Sequence, residues 1–154
     1  MPEFPSENKS PLGIKAQQGV ILAIEDDLQD VEILRIALAQ RNSGWKVLSV
    51  PFAREAMLYL GKIGQYADEN QFPRPEIIVL DLALPGMSGM EVSRRILKVR
   101  PDIPVLLTTG HVRQGDIEQA RAIGIREVIW KPQTVAEMGD LLALQLEKLV
   151  PTRT

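Results

Sequence analysis

Short strand-like runs alternate with longer amphipathic stretches five times along this chain, and that alternation limits the folds open to it. "GVILAIE" (19–25), "WKVLSV" (45–50), "EIIVLD" (76–81), "IPVLLTT" (103–109) and "EVIW" (127–130) read as strands. "LQDVEILRIALAQR" (28–41), "AREAMLYLGKI" (53–63), "GMEVSRRILKVR" (89–100), "QGDIEQARAIG" (114–124) and "TVAEMGDLLALQLEKLV" (134–150) read as the helices between and after them. Ile77, Ile78, Val79 and Leu80 are continuously apolar, as in a strand covered on both faces. Five rounds of strand then helix predict a doubly wound α/β fold, a parallel sheet with helices on both sides. Ligands of such folds bind in the crevice beyond the carboxyl ends of the strands, so the residues just after each strand are the ones to inspect.

The helix signals can be read more finely. In 28–41, Leu28, Val31, Leu34, Ile36 and Leu38 are expected on one inward stripe, with "NSG" as the stop. Pro101 ends the helix before it, and Gly124 ends the next. Thr134 is expected to cap the last helix, with Glu137 completing a capping box. "GQYADENQFPRP" (64–75) reads as a polar loop, long for such a fold. Residues 1–18 hold three prolines and no periodicity, and are expected to be a flexible N-terminal tail, with 19–150 as the domain and 151–154 as a C-terminal tail.

Composition removes several classes of function. The 154 residues are 45% hydrophobic and 25% charged with a net charge of −2, which suits one domain with an adequate core. There is no basic excess to favour nucleic acid or a membrane surface. With no cysteine, disulfides and thiolate metal sites are ruled out. No apolar run is long enough to span a bilayer and the N-terminus lacks signal-peptide character, so a cytoplasmic location is expected.

The chemistry collects at the strand ends. Strand one ends in Glu25, Asp26 and Asp27; strand three in Asp81; strand four in Thr108, Thr109, Gly110 and His111; strand five in Lys131 and Pro132. Each has an ordinary structural use, and Asp27 in particular suits an N-cap of the first helix. Together, several carboxylates at one sheet edge repel one another unless a hard cation lies between them. Magnesium takes oxygen ligands, with one or two carboxylates plus phosphate oxygens as its usual set. A lysine supplies a point charge for a phosphoryl group and a threonine a hydrogen bond. The combination describes a Mg2+ site at which a carboxylate attacks phosphorus.

On "ILAIEDD", "IIVLDLALPGMSG", "PVLLTTG" and "WKP", in that order, the chain resembles the receiver domain of two-component response regulators. The resemblance runs from about residue 19 to 149 and implies a five-stranded sheet of flavodoxin-like (CheY-like) topology. It implies Asp81 as phosphoacceptor, Asp26 as direct Mg2+ ligand, Glu25 as a second acidic ligand acting through water, and the Ala83 carbonyl as a further ligand. Thr109 is then the switch hydroxyl, since the small Gly110 after it leaves room for phosphate. Lys131 pairs with the phosphoryl oxygens, and the Lys131–Pro132 bond is expected to be cis. Positions two residues beyond Asp81 and Thr109, here Ala83 and His111, tune the access of water to the acyl phosphate in that family.

One position departs from the pattern. Many receivers carry an aromatic ring three residues before the lysine, where this chain has Val128; Trp130 shares its strand parity and is the other candidate for that surface. "GKIGQYADENQFPRPEIIVLDLALPGMSG" looks like the single-domain regulators paired with bacterial phytochrome kinases, while "ARAIGIREVIWKP" is similar to receivers of hybrid histidine kinases. The implied partners are a histidine kinase or phosphotransfer protein, and a second copy through the face of helix four, strand five and helix five. Three other readings are weaker. An aspartate-nucleophile phosphatase needs a second aspartate where Ala83 stands, and a flavin module would be repelled by "EDD". A scaffold that no longer accepts phosphate would have no use for the intact acceptor set.

Overall fold

The computed structural model describes residues 19–41, 44–110 and 113–150. The strands are β1 (Gly19–Ile24), β2 (Trp45–Val50), β3 (Ile77–Asp81), β4 (Val105–Thr109) and β5 (Glu127–Trp130). The helices are α1 (Leu28–Gln40), α2 (Ala53–Gly61), α3 (Gly89–Val99), α4 (Gln114–Ile123) and α5 (Val135–Leu149). All five strands are parallel, in the order β2-β1-β3-β4-β5. The chain therefore moves outward from β1 to β2, then crosses to β3 on the other side of β1. That reversal opens the crevice between the carboxyl ends of β1 and β3.

The sheet separates two cores. On one face, Leu22, Ile24, Ile78, Leu80 and Leu107 pack under α2, α3 and α4. On the other, Ile21, Ala23, Ile77 and Leu106 pack under α1 and α5. β3 lies at the centre and contributes to both, which is why its sequence is continuously apolar.

Helix ends follow the sequence with two corrections. Asp27 caps α1 by accepting from the Gln29 amide, Ser88 caps α3, and Gly124 ends α4 at φ 99°. The stripe of α1 consists of Val31, Leu34, Ala37 and Leu38, while Leu28 is 78% exposed and Ile36 also faces out. Ile36 is two positions from both Leu34 and Leu38, about 200° around the helix, and Leu28 is its first residue. Thr134 does cap α5 by accepting from the Glu137 amide, but the Glu137 carboxylate accepts from the Gln133 amide, one residue before the cap.

Segment 64–75 is not simply a polar loop. It opens with a 3₁₀ turn (Gly64–Tyr66), and the rings of Tyr59, Tyr66 and Phe72 meet pairwise with centroids 4.9–5.8 Å apart. Tyr59 Oη donates to the Pro73 carbonyl at 2.6 Å, and Lys62 Nζ bonds the Phe72 carbonyl while lying over the Tyr59 ring. Aromatic residues spaced through polar ones left no period for the sequence reading to find.

Gly89 fixes the loop between β3 and α3. A Cβ there would lie 2.5 Å from the Leu82 Cα and 2.9 Å from the Asp81 carbonyl oxygen, both backbone atoms that no rotamer change can move. Gly89→Ala is expected to cost about 1–3 kcal/mol, read by denaturant unfolding, because the loop must shift as a unit.

Candidate functional site

The site lies at the carboxyl lip of the sheet, where β1, β3 and β5 deliver Glu25, Asp81 and Lys131. Asp81 is the last residue of β3 and is 7% exposed. Its Oδ1 accepts from the Ala83 amide at 2.9 Å, which orients the carboxylate and leaves Oδ2 facing Lys131. Glu25 follows β1 directly, its amide donating to the Val50 carbonyl of β2, and is 8% exposed. Its Oε1 accepts from the Asp27 amide at 3.0 Å. Asp26, between them in sequence, is exposed.

Lys131 is the cationic centre of this cluster. Its amide donates to the Thr109 carbonyl at 2.7 Å, carrying the ladder one step past β5. Its Nζ donates to Asp30 Oδ2 at 2.7 Å, Glu25 Oε2 at 2.8 Å and Asp81 Oδ2 at 3.0 Å. Burial disfavours the ammonium, but hydrogen bonds to Asp30, Glu25 and Asp81 outweigh it and raise the Lys131 pKa, so it is charged throughout the ordinary pH range. Burial pushes the Glu25 carboxyl up to about 7, and the nearby Asp81 charge adds to this, against the downward pull of Lys131 and the Asp27 amide. One ammonium shared among several carboxylates leaves the cluster short of positive charge.

That shortage suits a divalent ion. Carboxylate oxygens of Glu25, Asp26 and Asp81 all lie within 4.8 Å of one another. An all-oxygen donor set, two members buried and one facing solvent, fits a hard cation that keeps part of its water shell.

The other expected residues fall around this centre. Thr108 is opposite Asp81 in register, and its hydroxyl donates to the Leu80 carbonyl at 3.4 Å; Thr109 is one step further toward the lip and buried. At Gly110 a Cβ would meet nothing within 4 Å, so the space beside Thr109 is open. Val128 packs against the α2–α4 core, with no ring at that position, and Trp130 is 59% exposed. His111 and the two tails, 1–18 and 151–154, lie outside the described residues.

One expectation is overturned and one residue was missed. Among the described residues no peptide bond is cis, so the Lys131–Pro132 bond is trans. The lysine is aimed by the β4 ladder bond and by its carboxylate partners, which need no cis bond. Asp30 was missed because it lies on a helix, not at a strand end. Only its place in the first turn of α1, on the side facing β5, brings it to Lys131.

A family profile described as the response regulator receiver domain matches residues 21–143. The chain belongs to that family. Among solved structures it is similar to the phosphorylated cyanobacterial phytochrome response regulator RcpA, at 28% identity and TM-score 0.77, covering 90% of this chain and 98% of that one. It is also similar to the Mn2+-bound form of response regulator Rcp1, at 25% identity and TM-score 0.74, covering 87% of this chain and 99% of that one. Among curated proteins it is 28% identical over 127 residues to the two-component response regulator ARR15 of Arabidopsis thaliana, covering 80% of this chain and 61% of that protein. The chain spans about half to three-fifths of the length of the curated relatives first matched. The receiver domain is the signalling module of two-component systems, and its family binds a divalent cation in an acidic pocket. Among the described residues no helix of this receiver is long and apolar enough to cross a membrane.

Proposed function

We propose that this receiver accepts a phosphoryl group on Asp81 and uses the resulting charge to switch its protein contacts. The observation that carries this reading is the meeting of three carboxylates within 4.8 Å at the sheet lip, with Lys131 Nζ 3.0 Å from Asp81. Mg2+, when bound, neutralises charge building on the transferring phosphoryl oxygens. Glu25, Asp26 and Asp81 would hold it, with the Ala83 carbonyl as a further ligand.

The Asp81 carboxylate oxygen attacks phosphorus in line, forming an acyl phosphate. The phosphorus–nitrogen bond of a donor phosphohistidine breaks, and its imidazole leaves with the electron pair and takes up a proton. Lys131 and the Thr109 hydroxyl then meet the new phosphoryl oxygens, in the space left by Gly110. The added negative charge biases a pre-existing equilibrium on the β4–β5 side. The donor is a histidine kinase or phosphotransfer protein, and likeness to phytochrome response regulators favours a light-sensing kinase of that class. With Val128 in place of a ring, the switch works without a Thr–aromatic exchange, and a pair of copies meeting through α4, β5 and α5 is its readout.

Incubation with acetyl phosphate and Mg2+ is expected to add one phosphoryl group per chain by intact mass, and removing the divalent ion with chelator should abolish the gain. No gain in the presence of Mg2+ would overturn the assignment.

A further inference from the structure

We infer that Asp30 is a positioning residue: it takes one of the three N–H donors of Lys131, so that Glu25 and Asp81 receive only one each and keep their remaining lone pairs available to a divalent cation. This rests on the receiver reading of the site, and deepens it by giving a role to a helix residue outside the cation's ligand set.

The argument starts from the lysine. Its ammonium has three N–H donors and gives one to each of three carboxylates, Asp30 at 2.7 Å, Glu25 at 2.8 Å and Asp81 at 3.0 Å. Glu25 and Asp81 belong to the set of carboxylates that converge within 4.8 Å, whereas Asp30 does not. Lys131 and the cation therefore compete for two carboxylates, and Asp30 is the one partner the cation leaves to the lysine.

Asp30 is well placed for this. It sits in the first turn of α1, where the helix dipole favours a carboxylate, and that turn is fixed by the Asp27 cap. Beside the contact lies a cavity of about 30 Å3 walled on its core side by Ala23, Val31, Val79 and Met138. An apolar wall on that side leaves the ion pair weakly screened. Asp30 is thus bonded to the group that must stay near Asp81 without lying among the ligands.

Removing the Asp30 charge with shape kept should weaken the third bond and tighten the hold of Lys131 on Glu25 and Asp81, to which it is already bonded. Asp30→Asn is expected to weaken Mg2+ binding about three- to tenfold, measured calorimetrically, as suits loss of one partly buried ion-pair partner. Circular dichroism should show the fold retained. The decisive comparison is a double-mutant cycle with Lys131→Met, or Lys131→Gln if the first does not fold. With the lysine neutral, Asp30→Asn should change Mg2+ affinity by less than about twofold. An equal loss in both backgrounds would make Asp30 a plain through-space charge and overturn the proposal, as would no loss in the wild-type background or no Mg2+ binding by the wild type. Phosphoryl uptake from acetyl phosphate, followed in parallel, judges the receiver reading separately.

Discussion

Asp81→Asn is expected to abolish phosphoryl uptake while leaving the fold intact. A carboxamide oxygen is neutral and a poor nucleophile, so attack on phosphorus is lost outright rather than slowed by a small factor. The local geometry survives, because the asparagine oxygen still accepts from the Ala83 amide as Asp81 Oδ1 does at 2.9 Å. Lys131 keeps Asp30 and Glu25 as partners. Removing one charge from a group of close carboxylates also relieves repulsion, so thermal unfolding should come no lower than in the wild type. Intact mass after acetyl phosphate treatment checks the chemistry. A mass gain equal to wild type would take Asp81 out of the central role.

Lys131→Met is expected to give the largest loss of stability of any change at the site. The substitution keeps a long apolar stem but removes the ammonium that Glu25, Asp30 and Asp81 share. Breaking a buried ion pair by deleting one partner typically costs about 3–5 kcal/mol, because a desolvated charge is left without compensation. Here Glu25 and Asp81 are both buried, and both would remain. A divalent cation can replace part of the missing charge, so millimolar Mg2+ should recover much of the loss. Urea unfolding with and without Mg2+ checks this, and an unfolding midpoint that ignores both the mutation and the cation would refute it. The exposed pair of Arg74 and Asp102 makes the contrast, since such surface pairs contribute about 0–1 kcal/mol.

The parts of this molecule that were legible in sequence were those with a period or a strand end. Short runs rich in apolar and β-branched residues located all five strands, and the order of strand and helix led to the sheet. Asp81, Glu25 and Lys131 could be grouped because a parallel sheet brings the ends of its strands to one lip. Asp30 escaped because its contact with Lys131 depends on how α1 rolls against the sheet, and nothing in "DDLQDVEI" sets that roll. Leu28 and Ile36 were drawn inward by composition, while the helix repeat put them outside. The aromatic clasp over 64–75 was hidden for the opposite reason: its rings are few and aperiodic, and they are joined by packing and by the Tyr59 hydroxyl. The Lys131–Pro132 bond was read by analogy with related loops, and the ladder bond to Thr109 aims the lysine without it.

The division of the core into two faces has a consequence for how the chain assembles. The face under α2, α3 and α4 closes between helices that follow one another in sequence. The face under α1 and α5 cannot close until the last helix returns to the first, and its ties span the domain: Arg41 to Asp140 joins residues 99 apart, Lys131 to Asp30 residues 101 apart and Lys131 to Glu25 residues 106 apart. Contacts of that separation carry the largest loop-closure entropy and form late. During synthesis the acidic lip therefore stands without its lysine until nearly the whole domain has emerged. The proposed phosphorylation site is therefore complete only once the last helix has returned to the first.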